Sequence, residues 1–141
     1  MKASKRSLLW HGMFLFLLGL LTGFIEGSLK NPRMGLAAHL EGVMNGTFLV
    51  AVGAVWEEVR LSPALTIAAY WTVLYGTYAN WAITTLAAIL GTAAMSPITG
   101  AGHSANQLQE AVVTLGFITV GVAIIAAVIL MLLGLRRIPQ S

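Results

Sequence analysis

Residues 31–46 read NPRMGLAAHLEGVMNG and place His39, Glu41 and Asn45 inside a stretch that is otherwise apolar and rich in glycine. Together with the apolar residues that follow as far as Trp56, this stretch is long enough to cross a bilayer as a helix, since about 20 apolar residues span the hydrocarbon core. Polar groups inside such a helix cost free energy, and by default they mark a functional site. This stretch therefore indicates both a membrane-spanning fold and the position of a functional site.

The composition of the whole chain indicates an integral membrane protein. Of its 141 residues, 57% are hydrophobic and only 9% are charged, whereas a soluble domain is about 25% charged. The mean hydropathy is +0.83. There is no cysteine, which excludes disulfides and thiolate chemistry. The length allows one domain, residues 1–141.

Apolar segments predict an all-α bundle of four transmembrane helices, at about residues 7–26, 34–56, 64–90 and 108–135. The first segment follows basic residues as a signal peptide does, but no small-residue cleavage site follows it, so we expect a retained helix. His11, near the basic end of this helix, is expected to be an interfacial residue, with a role as a ligand or in a proton relay as the alternative.

The basic residues predict the orientation of the bundle. One side of the predicted bundle carries most of them: Lys2, Lys5, Arg6, Arg60, Arg136 and Arg137. The other side carries only Lys30 and Arg33. This bias predicts that both termini face the cytoplasm of a bacterial-type inner membrane. Because the charges lie at helix ends, the net charge of +3 indicates topology signals and not nucleic-acid binding.

His39 shares a helix face with glycines. At about 100° per residue, Gly46 lies within roughly 20° of His39 and Gly42 within roughly 60°. Two interpretations stay open. Small residues let helices pack closely in lipid, and His39 would then be a hydrogen-bonded packing residue. Alternatively, the imidazole is an axial ligand of haem iron, and the macrocycle lies against the strip without side chains.

A second set of polar residues faces elsewhere. Glu41 and Asn45 share a face about 120–160° from His39, and they either serve the site of a neighbouring subunit or hydrogen-bond across helices. On the third helix, Asn80 is a further amide inside a span. We expect Asn45 and Asn80 to converge on one pocket. Arg33 and Lys30 are the candidate partners for a charged Glu41.

The third helix also carries an aromatic stripe. Trp71, Tyr75 and Tyr78 recur at the spacing of one helix face. Such a stripe is more often packing or an interfacial belt than a substrate site.

The segments PRMGLAAHLEGVMNGTF (residues 32–48) and LYGTYANW (residues 74–81) resemble the hydroxylaminobenzene mutase family, small membrane enzymes related to the styrene oxide isomerases. The resemblance implies a homotrimer that holds haem b between subunits, with His39 at the position of the axial ligand and Asn45 facing the substrate. It also implies conversion of hydroxylaminobenzene to 2-aminophenol, a step in the degradation of aromatic compounds. The isomerase branch has a tyrosine where this chain has Thr84, and this departure favours the mutase branch.

The resulting prediction is an isomerase that moves a hydroxyl group from nitrogen to the ortho carbon. His39 is expected to ligate the haem iron, with Gly42 and Gly46 beside the cofactor. Asn45 and Asn80 are expected to orient the reacting oxygen.

In the same prediction, Tyr78 or Tyr75 donates a proton, and the aromatic stripe holds the ring. The expected partners are the aromatic hydroxylamine, the lipid bilayer and two further copies of the chain, with no nucleic acid. The alternatives are a styrene oxide isomerase acting on an epoxide, a haem b electron carrier and a small transporter.

Overall fold

The computed structural model describes residues 2–136, with side chains from Ser4 onward. This part of the chain is built from helices and contains no strand. The four long helices are α1 (Lys2–Ile25), α2 (Pro32–Val55), α3 (Pro63–Leu90) and α4 (Gln107–Leu135). Each is long and apolar enough to cross a membrane, which confirms the predicted all-α membrane fold with four spans.

Contacts between chain segments show which helix ends share a side of the bundle. Lys5 in α1 forms an ion pair with Glu57, with 2.9 Å between Nζ and Oε2. The N–H of Arg60 donates to the carbonyl oxygen of Gly134 near the end of α4, at 3.1 Å. The start of α1, the connection between α2 and α3 and the end of α4 therefore lie on one side. That this side is cytoplasmic stays a prediction, and Arg137 lies outside the described residues.

The start of α2 is fixed by Asn31, whose side chain is completely buried. Its Oδ1 accepts the N–H of Met34 at 3.2 Å and so caps the helix, with Pro32 as the first helical residue. The side-chain Nδ2 of Asn31 donates to the carbonyl oxygen of Thr99 at 2.9 Å. The backbone N–H of Asn31 donates to the carbonyl oxygen of Ala88 at 3.0 Å. One residue thus joins α2 to the end of α3 and to the connection before α4.

The glycine strip of α2 is where α1 packs. A Cβ on Gly42 would lie 2.4 Å from the Cα of Gly19, and one on Gly46 would lie 2.5 Å from the backbone nitrogen of Phe16. The backbones of α1 and α2 therefore touch along this strip, as small residues allow in membrane helices. The prediction that Gly42 and Gly46 lie beside a cofactor is corrected here, because α1 already covers both glycines.

Candidate active site

His39 is held by the backbone of the neighbouring helix. It is half-buried on α2, and its Nδ1 lies 2.7 Å from the carbonyl oxygen of Gly19 in α1. Because a carbonyl can only accept, Nδ1 carries the proton, and in the neutral imidazole Nε2 keeps its lone pair. Metal-ligating histidines are held in the same way, with the other ring nitrogen donating to a carbonyl or carboxylate.

The imidazole of His39 lines a groove of about 410 Å³ between α1 and α2. The residues lining it are Leu20, Gly23, Phe24, Glu26, Leu36 and His39. The space around the ring depends on Gly23, since a Cβ there would lie 2.8 Å from Nδ1 of His39. The groove therefore combines one available ring nitrogen with mostly apolar walls.

These residues fit a haem better than a metal ion held by side chains. A haem supplies four nitrogens of its own and needs one axial ligand and apolar walls from the protein. A bare ion needs several side-chain ligands. Within residues 2–136, no group of three or more histidine, cysteine, aspartate or glutamate residues is placed to hold one.

Asn45 and Asn80, which we expect to converge on one pocket, meet at the carboxylate of Glu41, and the shared pocket itself stays a prediction. Oε2 of Glu41 accepts the Nδ2–H of Asn45 at 3.0 Å and also that of Asn80 across the interface between α2 and α3. Each amide uses one N–H in this way. The second N–H and the oxygen of each make no hydrogen bond to a residue that the structure describes. These groups are therefore available to a ligand.

The cationic partners considered for Glu41 bind elsewhere. Nζ of Lys30 donates to the carbonyl oxygens of Leu90 and Ser104, at 2.9 and 3.0 Å, and Arg33 donates to that of Ala101. Both side chains therefore hold the connection between α3 and α4 against the start of α2. The acid inside the span has two amides as its hydrogen-bond partners.

The groove of His39 and the amide cluster lie on different sides of α2. His39 is bonded to α1, whereas Glu41 and Asn45 are turned about 120–160° away from it and reach Asn80 on α3. One copy of the chain therefore does not bring the imidazole and the amides into one pocket.

The two tyrosines predicted as proton donors, Tyr75 and Tyr78, lie on a face of α3 that is turned away from Asn80. On α3 they are about 140–160° from Asn80. The hydroxyl of Tyr78 lies 3.0 Å from Nδ1 of His11, and that of Tyr75 lies 2.8 Å from Oγ1 of Thr119. Within one chain the structure thus separates Tyr75 and Tyr78 from the amides, and their role as proton donors stays a prediction.

Comparison with known proteins gives the family. The family model described as styrene oxide isomerase matches residues 4–136. The chain belongs to the styrene oxide isomerase family. Hydroxylaminobenzene mutase HabB of Ectopseudomonas oleovorans is 44% identical over 135 residues, covering 95% of this chain and 82% of the relative. Hydroxylaminobenzene mutase HabA of the same organism is 43% identical over 127 residues, covering 89% and 94%. No solved structure matches significantly.

This member of the styrene oxide isomerase family is therefore a multi-pass membrane isomerase. Its Thr84, at the position where the resemblance led us to expect a tyrosine in the isomerase branch, is buried, with 4% of its surface exposed. The hydroxyl of Thr84 donates to the carbonyl oxygen of Asn80 within α3, at 2.7 Å. Thr84 thus offers no phenol and has its hydroxyl proton bonded within its own helix.

Two features of the isomerase had no signal in the sequence. The partner of His39 is the main-chain carbonyl of Gly19, and a carbonyl is present at every position whatever the side chain. His11 and Tyr78 are 67 positions apart, and nothing in the sequence predicts a contact between them.

Proposed function

We propose that the enzyme converts hydroxylaminobenzene to 2-aminophenol by moving the hydroxyl group from nitrogen to the ortho carbon of the ring. The observation that carries this proposal is the pair of amides, Asn45 and Asn80, that Glu41 holds together inside the membrane-spanning helices. The names of the two relatives, both hydroxylaminobenzene mutases, supply the substrate.

The amides suit the N–OH group of this substrate. A carboxamide donates through its N–H groups and accepts through its oxygen, so the free groups of Asn45 and Asn80 can hold both the oxygen and the proton of a hydroxyl. When the N–O bond breaks, negative charge builds on the departing oxygen, and N–H donors already in place stabilise it. Glu41 positions both donors by accepting the remaining N–H of each.

The surrounding helices supply the low-water environment that the rearrangement needs. Once the N–O bond is broken, the ring carries positive charge, and water would capture it at other carbons. Apolar spans keep water away, so the oxygen held by the amides bonds to the nearest ring carbon. That carbon then loses its proton and the nitrogen gains one, which restores the aromatic ring and gives the amine. Ortho selectivity follows from this geometry.

We also propose that His39 holds haem b through Nε2. When bound, the haem supplies a Lewis-acidic iron toward the oxygen of the substrate. The carbonyl of Gly19 fixes the tautomer and the direction of the ring, and Gly23 leaves space beside it.

The complete site in this proposal lies between copies of the chain in a homotrimer. Because the groove of His39 and the amides face different sides of α2, the imidazole of one copy and the amides of the next would together enclose the substrate. We place this assembly in a bacterial-type inner membrane with both termini cytoplasmic, which is supported by the excess of basic residues at one end of the bundle.

Epoxide isomerisation is the second candidate, because the matching family model is that of styrene oxide isomerase. Thr84 disfavours epoxide isomerisation, because the resemblance implies a tyrosine at this position in the isomerase branch.

The test is a product analysis with protein in nanodiscs, offered hydroxylaminobenzene and styrene oxide in separate reactions. We expect 2-aminophenol to form from the first at least tenfold faster than an aldehyde from the second. Asn45→Ala and Asn80→Ala should each lower the rate by about two to three orders of magnitude, as removal of one such donor does elsewhere, and should lower the ortho fraction.

Asn106→Ala is the matched control, since Asn106 caps α4 in the connection and lies outside the cluster. Conversion of styrene oxide alone, or amide variants with unchanged rate and product ratio, would contradict the proposal.

A further inference from the structure

A second groove, separate from that of His39, lies at the seam between α1 and α3. Its volume is about 500 Å³, within the range of small-molecule sites. The residues lining it are His11, Tyr70, Trp71, Leu74, Tyr75 and Tyr78. Five of these six side chains are aromatic or imidazole rings, and none of them lines the groove of His39.

The walls of this groove are held in place by hydrogen bonds outside it. The hydroxyl of Tyr70 bonds to that of Ser7 at 2.8 Å, and the hydroxyl of Tyr75 bonds to that of Thr119 at 2.8 Å. Since the proton of Thr119 goes to the carbonyl oxygen of Gly116, Tyr75 is the donor to Thr119. The rings are therefore oriented before any ligand arrives, which lowers the entropic cost of binding.

His11 supplies the groove with a hydrogen-bond acceptor. The hydroxyl of Tyr78 donates to the main-chain oxygen of His11 at 3.2 Å and lies 3.0 Å from its Nδ1. A phenol has one proton, so both bonds form together only when Nδ1–H donates to the phenol oxygen. In the neutral ring, Nε2 then has no proton and can accept. It makes no hydrogen bond to any residue within the described part of the chain.

The groove opens outward, where a ligand can enter from the bilayer. Trp71 is 63% exposed and Tyr75 is 50% exposed, so at least half of the surface of each is uncovered by the described residues. Aromatic faces of this kind gain about 0.5–1.5 kcal/mol from a further ring beyond the area that is buried.

We infer that this groove is a binding site for a single-ring aromatic molecule that carries an O–H or N–H donor. The ring packs against Trp71 and Tyr75, and the donor bonds to Nε2 of His11. Hydroxylaminobenzene and 2-aminophenol both belong to this class, so the groove can collect substrate or product from the bilayer. That identification of the natural ligand rests on the proposed function, whereas the ligand class rests on the groove alone.

The test uses two probes that differ only in the donor, 4-fluorophenol and 4-fluorotoluene, with binding followed by fluorine NMR. The protein is in nanodiscs, and empty nanodiscs correct for partition into lipid. We expect saturable binding of both, with 4-fluorophenol bound about three- to tenfold more tightly, the range of one net hydrogen bond. His11→Phe should remove this difference, and Trp71→Ala should weaken both probes.

Two controls separate the outcomes. His103→Phe changes a histidine in the connection before α4 and should leave both affinities unchanged. His39→Ala, which removes a residue of the other groove, should leave the preference for 4-fluorophenol over 4-fluorotoluene unchanged. If the wild-type protein bound the probes as expected but had no mutase activity, the proposed function would be wrong and the inferred binding site would stand. Binding no greater than to empty nanodiscs, equal affinities that His11→Phe does not alter, or loss of binding in His39→Ala would overturn the inference.

Discussion

The close contact between Gly42 and Gly19 gives the sharpest prediction for stability. In Gly42→Ala the added Cβ would lie 2.4 Å from the Cα of Gly19, whereas ordinary contact is 3.4–4 Å. The two helices must therefore separate by about 1 Å, because the obstacle is backbone and cannot rotate away. Overpacking of this kind costs about 1–3 kcal/mol, and we expect a loss near 3 kcal/mol in the free energy of unfolding.

The assay is equilibrium unfolding in mixed micelles, followed by circular dichroism. Gly121→Ala is the matched control, because a Cβ at Gly121 meets nothing within 4 Å and alanine favours a helix by up to about 1 kcal/mol. It should be as stable as the wild type or slightly more stable. If Gly42→Ala unfolded within about 0.5 kcal/mol of Gly121→Ala, the close packing of α1 on α2 would be refuted.

Three further substitutions test other contacts. Asn31→Ala should lower the free energy of unfolding by about 2 kcal/mol in the same assay, because a cap and a buried bond are both lost, whereas Asn106→Ala loses only a cap and should cost about 1 kcal/mol. If the two variants lost a similar amount of stability, the hydrogen bond from Asn31 to Thr99 would be unimportant. Glu41→Leu should lower the rate of 2-aminophenol formation about tenfold or more, because the two amides lose their common acceptor, and Glu41→Gln should restore most of it; equal rates in the two variants would show that the acceptor is not needed. Trp81→Phe should cost about 1 kcal/mol in unfolding, because its indole N–H donates to Thr22 at 3.0 Å; an unchanged unfolding curve would contradict this.

The four spans could be predicted from the sequence because the bilayer sets their length and composition. The predicted starts of α2, α3 and α4 lie close to Pro32, Pro63 and Gln107. Only α1 differs substantially, since it begins at Lys2 and not near residue 7. Alanine, lysine and arginine favour helices, and Lys5 is held by Glu57, so the basic segment continues the helix.

The glycine strip shows why the site was harder to predict than the fold. Spacing alone suits both a packing face and a cofactor surface, and only the position of α1 decides between them. The glycines of α1, Gly12 and Gly19, meet Gly46 and Gly42. Packing therefore accounts for the strip, and His39 at its edge is left facing a groove.

The convergence of Asn45 and Asn80 was predictable because two amides inside spans need partners. The direction in which the imidazole of His39 and the amides face could not be predicted, since it depends on how α1 and α3 are placed around α2. Helical angles gave the separation between His39 and the amides, and the bonds to Gly19 and Asn80 show which neighbour each one faces.

The claim on which the mechanism depends most is that His39 holds a haem. The most direct measurement is the absorption spectrum of the purified protein, with the wild type beside His39→Ala and His11→Ala. We expect a Soret band in the wild type and in His11→Ala, and its loss or shift in His39→Ala. A wild-type protein that forms 2-aminophenol without any Soret band would contradict the claim, and His39 would then act as an acid–base residue.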